Sequence, residues 1–397
     1  MAKALQGLKV LDFSRALNGP FCASLLRELG AEIIKVEMPE VGDLSRGVPP
    51  FTRSGESSIF INLNRGKKSI TLNLKSEKGC QIARELVQKV DVLLENFSPG
   101  VMDRLGLSYE ELSKLNPRLI YASSSGYGHT GPRRFEPVFD AIAQAMGGMM
   151  SITGQPGGLP TKVGSSVADL LTGSFTTISI LAALKYREQT GEGQMIDISM
   201  QDCVWLITAI EQSPGYFQEN KIPQRLGTSI SYAAPQNDYQ AKDGRVILMV
   251  GPFGHWESIL HIMGRDDLIG AEKYASHTAR VDHRDEVDAL IEEWTKTKNV
   301  DEILNELREA HVPCCPLPSF DQVANDPQLL SRDMIVEIDQ PGSGKFKTPG
   351  SVFKLSKTPG DPLAVGPSLG EHNHEIYCNV LGYDEEQIKK LADEGVI

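Results

Sequence analysis

A long apolar segment with one carboxylate near its start, residues 162–185 (KVGSSVADLLTGSFTTISILAALK), limits the folds open to this chain more than any other stretch. From Leu170 to Leu184, leucine, isoleucine and phenylalanine side chains cover most of the circumference of a helix. This pattern predicts a helix buried inside a globular protein. The chain has 397 residues, enough for about two to three domains and a core of that kind.

Asp169 is predicted to lie just before this helix, and the position allows two interpretations. Aspartate is a favoured N-cap, and an aspartate before an apolar run commonly caps the helix. A carboxylate there would also be ionised by the helix terminus and flanked by free backbone N–H donors. That setting suits a nucleophile whose attack creates an oxyanion. Both interpretations can hold at once.

Composition and charge exclude several classes of protein. The net charge is −12 and no basic cluster is present, which argues against a nucleic-acid partner. No uncharged apolar run of about 18 residues occurs, and residues 1–20 lack the apolar core of a signal peptide, so a soluble cytoplasmic protein with no membrane contact is predicted. Six scattered cysteines form no CxxC motif and no ligand-like group with histidine, which predicts reduced thiols and no metal site.

Strands and helices alternate along the first half of the chain. Strands are predicted at residues 8–13, 32–37, 68–74, 92–96, 118–124 and 193–200, with helices at 18–29, 77–90, from about 138, from 170 and at 201–211. The alternation predicts an α/β fold with a mostly parallel sheet covered on both faces. No GxGxxG motif follows the first strand, so a nicotinamide or flavin cofactor loses its best support.

The remaining chain predicts a second, smaller α+β domain. Residues 213–226 are polar with two prolines and are predicted to be a linker. Residues 227–326 contain a predicted hairpin at 238–250 and helices at 256–263, 286–297 and 300–310, with Trp256 in the core. Residues 327–397, ending in a helix at 384–395, are predicted to complete the large domain begun by residues 1–212.

A glycine-rich loop at residues 126–132 (GYGHTGP) contains the histidine with the most suggestive setting, His129. Its glycines indicate a turn with several positive φ angles. His129 is either a catalyst or a histidine that only makes hydrogen bonds at the surface. The loop alone does not decide between the two.

Nine short segments, in order from one end of the chain to the other, carry a resemblance to a known family. They are LDFSRALNGP (11–20), LGAEIIKVE (29–37), NRGKKSITLNL (64–74), ENFSPGVMDRLGL (95–107), SGYGHTGP (125–132), VADLLTG (167–173), TGEGQMIDISM (190–200), AKDG (241–244) and LGEHNHEI (369–376). The ordered set resembles the family III CoA-transferases, which include formyl-CoA and carnitine CoA-transferases and, as a racemase branch, alpha-methylacyl-CoA racemase. The resemblance implies a Rossmann-like large domain, a small central domain, and two chains interlocked as a homodimer.

The resemblance also implies an activity, the reversible transfer of CoA from an acyl-CoA to a free carboxylic acid. The family's nucleophile falls on Asp169, whose carboxylate would form first a mixed anhydride and then an aspartyl-CoA thioester. Each step exchanges one activated carbonyl for another, so no prosthetic group is expected, and coenzyme A takes part as substrate and product. Water must be kept out because every intermediate can be hydrolysed.

The family's CoA site can be carried over to this chain position by position. Lys75 and Arg104 would meet phosphates, and Phe97 would flank the adenine. The full set implied by the resemblance is Leu17, Asn18, Leu72, Asn73, Leu74, Lys75, Asn96, Phe97, Arg104, Phe139 and Asp140.

Departures from the family pattern bear on specificity. Met38 and the pair Leu17-Asn18 stand where the formyl-CoA enzyme has arginine and glutamine, and residues 227–235 replace its tetraglycine lid, so the acids used do not follow. The racemase branch needs a histidine base where this chain has Phe139, which cannot accept a proton. Transfer is therefore favoured over the two alternatives, a racemase-like epimerase and an inactive CoA-binding homologue; the presence of Asp169 argues against the second of these.

Overall fold

The computed structural model describes residues 3–250 and 254–397. The described residues fall into two compact units. Unit 1 comprises Met1–Met149, Lys162–Glu219 and Pro327–Ile397, and unit 2 comprises Met150–Thr161 and Asn220–Asp326.

Unit 1 is built on a six-stranded parallel sheet, which confirms the predicted α/β class. The strands are β1 (Lys9–Asp12), β2 (Glu32–Glu37), β3 (Lys68–Thr71), β4 (Val92–Glu95), β5 (Ile120–Ser125) and β6 (Gln194–Ser199). They lie in the order β3-β2-β1-β4-β5-β6. In this doubly wound order the direction of winding reverses between β1 and β4, where ligands bind in such folds. Each predicted strand is present, with ends within three residues of those expected.

Helices cover both faces of the sheet, as the alternating pattern predicted. The first nine in chain order are α1 (Asn18–Glu28), α2 (Ser58–Asn64), α3 (Glu77–Val87), α4 (Val101–Arg104), α5 (Tyr109–Leu115), α6 (Asp140–Met146), α7 (Met149–Ile152), α8 (Val167–Thr190) and α9 (Met200–Glu219). Leu26 of α1 and Ile180 of α8 belong to one apolar core with Val10 of β1. Leu86 of α3 belongs to the core on the other face.

The helix α8 differs from its prediction in where it begins and which side chains it buries. It starts at Val167. Asp169 is therefore the third residue of the helix, and the prediction that it precedes the helix is wrong. The buried face is small and polar, comprising Ala168, Thr172, Gly173, Thr176, Thr177, Ile180, Ala183 and Arg187. Buried threonine is accommodated because each hydroxyl donates to a carbonyl four residues earlier, as in Thr176 Oγ1 to Thr172 O at 2.8 Å.

The apolar residues that predicted an all-round buried helix are only partly covered in unit 1. Ile178 is 59% exposed. By length and composition α8 is apolar enough to cross a membrane, but core helices pass the same test. In this fold α8 packs against α1, α9, β5 and β6.

The helix α9 ends at Glu219 and contains Pro214, whereas the sequence predicted an end at residue 211 and a linker from 213. An interior proline lacks the backbone N–H that a helix position normally donates, yet α9 continues past Pro214 for five residues on a partly exposed surface. Exposed apolar side chains line α9, namely Trp205, Leu206, Ile207, Ile210, Tyr216 and Phe217.

Unit 2 contains the predicted hairpin, β7 (Gln236–Gln240) and β8 (Arg245–Met249), joined by β9 (Cys314–Pro316) in an antiparallel sheet. Its helices are α10 (His255–Ile262), α11 (His277–Asp282), α12 (Arg284–Thr295), α13 (Val300–Glu309) and α14 (Phe320–Val323). Trp256 lies in the apolar core of this unit, as predicted.

The segment after residue 326 returns to unit 1. It forms α15 (Pro327–Ser331), the antiparallel pair β10 (Ile335–Gln340) and β11 (Gly344–Pro349), a π-helical turn (Glu375–Val380) and α16 (Glu385–Asp393). Ile376, Tyr377 and Leu391 enter the apolar core beside β3 and α3. The backbone N–H of Asn73 also donates to the carbonyl of Val396 at 2.8 Å.

Candidate active site

Asp169 faces the start of α1 from the first turn of α8. The backbone N–H of Asn18, the first residue of α1, lies close enough to the Asp169 carboxylate to favour its ionised form. The carboxylate therefore lies at the N-terminal ends of two helices, its own and α1, and both ends carry partial positive charge.

Gly173, one helical turn after Asp169, allows α1 and α8 to come this close. A β-carbon at position 173 would lie 2.6 Å from the carbonyl oxygen of Asn18 and 3.0 Å from Cδ1 of Phe21. Outside their own residue and its chain neighbours, real Cβ atoms essentially never come within 3.0 Å of a non-bonded heavy atom. A side chain at this position would therefore separate the two helices.

Asp140, and not Asp169, serves as the cap of α8. The backbone N–H of Ala168 donates to Oδ1 of Asp140 at 2.9 Å, and Nε2 of Gln144 donates to Oδ2 at 2.7 Å. The fully buried Gln144 in turn accepts the N–H of Val163 at 2.8 Å. A side chain from α6 thus satisfies the first turn of α8 and leaves the Asp169 carboxylate available for chemistry.

Burial raises the pKa of Asp169 to about 7, the charge of Asp140 adds to the rise, and the Asn18 N–H opposes it. Desolvation therefore outweighs the backbone donor, and this carboxylate is harder to ionise than an N-terminal helix position alone would make it.

This pKa leads to a prediction about the pH dependence of activity. If ionised Asp169 is the nucleophile, kcat/KM is expected to fall about tenfold per pH unit below about pH 7. Asp140→Asn keeps the acceptor for the Ala168 N–H and removes the like charge, so the acidic limb should move to lower pH. Full pH profiles of both proteins measure the shift. Glu95→Gln is the control because burial also raises the pKa of Glu95 to about 7; a limb that moves only in this control contradicts the assignment to Asp169.

A cleft of about 360 Å³ opens at the carboxyl ends of the strands, at the switch point between β1 and β4. Four residues named from the sequence, Leu72, Leu74, Lys75 and Phe97, line it together. The other lining residues are Phe13, Arg15, Val36, Glu37, Met38, Ser98, Val101 and Leu105. The cleft is mostly apolar, with two cations, Arg15 and Lys75, at its wall, so it suits an amphiphilic anion.

Arg15 was missed in the sequence, although it lies in the segment LDFSRALNGP. Its guanidinium carbon is 4.8 Å from the centroid of the Phe97 ring, a cation–π arrangement. Met38 lines the same cleft and offers no charge. Arg15 thus brings a positive charge to the cleft that Met38 lines.

Asn96 and Asn18 connect the cleft to Asp169. Nδ2 of Asn96 donates to Oδ1 of Asn18 and to the carbonyl of Arg15, each at 2.8 Å. Oδ1 of Asn96 accepts the N–H of Arg15 at 2.8 Å. One hydrogen-bond chain therefore fixes the loop that bears Arg15 and the end of α1 that faces Asp169.

Two buried ion pairs hold the same loop from behind. Lys67 Nζ lies 3.1 Å from Asp12 Oδ2, and Lys35 Nζ lies 2.9 Å from Asp43 Oδ2. The lysines also donate to backbone carbonyls of the loop and of α1, Lys35 to Ser14 at 2.8 Å and Lys67 to Pro20 at 3.0 Å. These contacts fix the backbone between β1 and α1.

The other residues named from the sequence lie outside the cleft wall. Arg104 is exposed on α4 between the lining residues Val101 and Leu105. Asn73 is engaged with the C-terminal segment, since its Nδ2 donates to the Gly395 carbonyl at 3.3 Å. Leu17 is half-buried at the cap position of α1. Phe139 is 72% exposed at the cap position of α6, next to Asp140.

His129 makes the hydrogen bonds that its second interpretation expected. Its Nε2 lies 2.7 Å from Ser123 Oγ, and its backbone N–H donates to Asp197 Oδ2 at 3.0 Å. With Glu95 it lines a separate cavity of about 70 Å³. Glu95, fully buried and hydrogen-bonded by the Phe97 N–H at 2.8 Å, is a second residue that the sequence did not reveal.

Fold and site together define a doubly wound α/β protein with a largely apolar cleft at the switch point, two cations at the cleft wall, and a partly buried carboxylate at the adjoining helix end. The chain belongs to CoA-transferase family III, whose family model matches residues 5–373. It is therefore a transferase, as the sequence resemblance implied.

Relatives of established name match the whole chain. A succinyl-CoA:mesaconate CoA-transferase of Haloarcula marismortui is 40% identical over 383 residues, covering 94% of this chain and 95% of the relative. A formyl-CoA:oxalate CoA-transferase of Streptomyces coelicolor is 36% identical over 419 residues, covering all of both chains. The crystal structure of a CAIB/BAIF family protein from Brucella suis superposes with a TM-score of 0.84 at 36% identity, covering 96% of this chain and 100% of the other.

Proposed function

We propose that this enzyme transfers CoA reversibly from a short-chain acyl-CoA to a small free carboxylic acid, with Asp169 as covalent nucleophile. The observation that carries the proposal is the Asp169 carboxylate, which is partly buried between the first turn of α8 and the start of α1, where the Asn18 N–H favours its ionised form. The relatives' names supply the substrate class, since they specify succinyl-CoA or formyl-CoA as donor and mesaconate or oxalate as acceptor. No side chain at position 139 can act as a base, so no observation favours the racemase.

In the proposed mechanism an ionised oxygen of Asp169 attacks the thioester carbonyl of the donor. The C–S bond breaks, CoA leaves as a thiolate, and an aspartyl mixed anhydride remains. The thiolate then attacks the aspartyl carbonyl, releases the donor acid as a carboxylate and forms an aspartyl-CoA thioester. An acceptor carboxylate repeats the two steps in reverse order, and Asp169 is regenerated. The Asn18 N–H donates throughout to an oxygen whose charge changes at each step.

The direct test is a matrix of donors and acceptors with the purified enzyme. Succinyl-CoA and formyl-CoA are each offered with mesaconate, malate and oxalate, and new CoA esters are measured by chromatography. Formation of at least one new ester, with stoichiometric release of the donor acid, is expected. Hydrolysis alone, or no reaction with any pair, would contradict CoA transfer among these classes.

We propose that CoA occupies the cleft, with Lys75 and Arg15 toward its phosphates and Arg104 at the rim. Lys75→Ala and Arg104→Ala are each expected to raise the KM for acyl-CoA about tenfold, the ratio that corresponds to 1.4 kcal/mol and is typical of one charge-assisted contact. Lys78→Ala is the control, because Lys78 is exposed on α3 and donates to Gln81. The KM values for acyl-CoA and for the acid are measured by steady-state kinetics for each variant. An increase confined to the KM of the acid would show that these cations bind the acid and not CoA, which would contradict the proposal.

We also propose that two chains form an interlocked homodimer in which units 1 and 2 are the large and small domains of the family, acting in the cytoplasm. The support for a second copy is the exposed apolar surface of α8 and α9, to which Ile178, Trp205, Ile210 and Phe217 contribute. A surface of this kind is typical of an interface. Sedimentation is expected to give twice the mass of one chain at all concentrations assayed. A fully active species with the mass of a single chain would be inconsistent with the dimer.

A further inference from the structure

Three potential metal ligands meet near the C-terminal end of the chain, outside the candidate active site. They are His374, Cys378 and Glu385, and their ligand atoms all lie within 4.8 Å of one another. Nε2 of His374 is 2.6 Å from Oε1 of Glu385. His374 precedes the π-helical turn, Cys378 lies in it, and Glu385 is the first residue of α16.

The donor set selects the class of metal. One imidazole nitrogen, one thiolate sulfur and one carboxylate oxygen are ligands that Zn²⁺ accepts together, whereas Mg²⁺ and Ca²⁺ take oxygen ligands. At zinc bond lengths of about 2.0 to 2.3 Å, tetrahedral ligand atoms lie about 3.5 Å apart. The His374 and Glu385 side chains are 65% and 78% exposed, so both have room to rotate inward. Their exposure also leaves a coordination position open to water.

The backbone on both sides of this cluster is fixed by buried neighbours. Tyr377, next to Cys378, is fully buried and donates its hydroxyl to the Thr71 carbonyl at 2.6 Å. Tyr383, two residues before Glu385, donates to Glu85 Oε2 at 2.7 Å and stacks on Tyr377 with ring centroids 6.4 Å apart. A ligand set on backbone held in this way loses little freedom when a metal binds.

We propose that His374, Cys378 and Glu385 bind one Zn²⁺ ion, with water as the fourth ligand, and that the ion ties the start of α16 to the π-helical turn. Binding removes the thiol proton of Cys378, which passes to solvent, and two anionic ligands then balance the dication. The sequence offered no CxxC motif, and the segment HNHEIYC with its glutamate seven residues later was not recognised as a ligand set. The role is structural, since none of the three residues belongs to the cleft or contacts Asp169 in the described structure.

Cobalt titration of the chelator-treated full chain tests the site without any substrate. Because a thiolate bound to Co²⁺ gives an intense near-ultraviolet charge-transfer band, the wild type is expected to show this band, saturating at one equivalent per chain, and Zn²⁺ should abolish it. Zinc should also raise the melting temperature of the wild type. Both the cobalt band and the thermal shift should disappear in Cys378→Ser. The affinity for Co²⁺ should fall at least tenfold in His374→Ala and in Glu385→Gln.

Cys315→Ser is the matched control, because Cys315 is an exposed thiol in unit 2. This variant should keep the cobalt band, the stoichiometry and the thermal shift. The proposal is overturned by a wild type without the band, by a band that survives Cys378→Ser, or by affinity unchanged in both His374→Ala and Glu385→Gln. The last result would mean that a lone thiol binds the metal. Because the readouts are spectroscopic and thermal, they are independent of whether the enzyme transfers CoA.

Discussion

Replacing Asp169 with asparagine is expected to lower the rate of CoA transfer by at least about 10³-fold, because an amide is a very poor acyl acceptor. The fold should persist, since Asp140 caps α8 and the asparagine still accepts the Asn18 N–H. At pH 7 and above, the asparagine variant should even be more stable than the wild type. The pKa of Asp169 is about 7 when folded against a reference value of 3.8, so the wild type loses stability as pH rises between these values. The asparagine variant escapes that loss.

Three measurements check this expectation. Turnover and acyl-CoA binding are compared in the wild type, Asp169→Asn and Asp202→Asn, the last being a control because Asp202 is likewise the third residue of its helix, α9. Thermal melting is followed from pH 5 to 8. Wild-type enzyme given acyl-CoA without acceptor should carry a hydroxylamine-sensitive label on the peptide that contains Asp169. Near-normal transfer by a folded Asp169→Asn protein would rule out covalent catalysis by this residue.

Gly173→Ala is expected to have the second largest effect, although it adds a single methyl group. The new Cβ would meet the carbonyl oxygen of Asn18 at 2.6 Å, and backbone cannot swing aside as a flexible side chain can. Overpacking of this kind costs about 1–3 kcal/mol of stability. The displaced α1 would also withdraw the Asn18 N–H from Asp169, and a misplacement of about 1 Å is enough to reduce kcat about 10²-fold.

Gly215→Ala provides the helical control. Gly215 lies in α9, and a β-carbon there would meet nothing within 4 Å. This variant should be as stable as the wild type or slightly more so, because alanine is the better helix former. Denaturant unfolding and kcat are measured for both variants. If Gly173→Ala matched the control in stability and kcat, the close approach of α1 and α8 would have no role in positioning the nucleophile.

The sheet was predictable because its information is local. Runs such as Val92–Glu95 and Ile120–Ser125 are buried on both faces, so they begin with apolar residues and become polar toward the carboxyl end. Helices and turn residues separate these runs along the chain. The order of the resembling segments then pointed to Asp169, Lys75 and Phe97 without any coordinates. Four of the residues so named share one cleft.

What the sequence could not show depends on contacts between distant residues. The start of α8 was misplaced because its cap comes from Asp140, 28 residues earlier, and no local pattern at Ser166 reveals a cap in another helix. Arg15 looked like an ordinary loop cation until the fold placed it over Phe97. The apolar residues of α8 gave the wrong burial pattern because they cover most of the helix circumference, so the sequence pattern does not single out the face of small and polar residues that is buried.

The ion pairs Asp12–Lys67 and Lys35–Asp43 have a consequence for how this enzyme can diverge over evolutionary time. Removing one partner of a buried pair leaves an uncompensated charge, at a cost of about 3–5 kcal/mol. A substitution at any of these four positions therefore needs a compensating substitution at its ion-pair partner at nearly the same time. The cleft wall carries a restriction of this kind at Glu37, which is paired with Arg46 at 2.7 Å, whereas its apolar residues, among them Met38, have no charge to compensate. New acid or acyl preferences are thus expected to arise by single substitutions at the apolar residues of the wall, while the paired charges behind the loop between β1 and α1 are inherited intact.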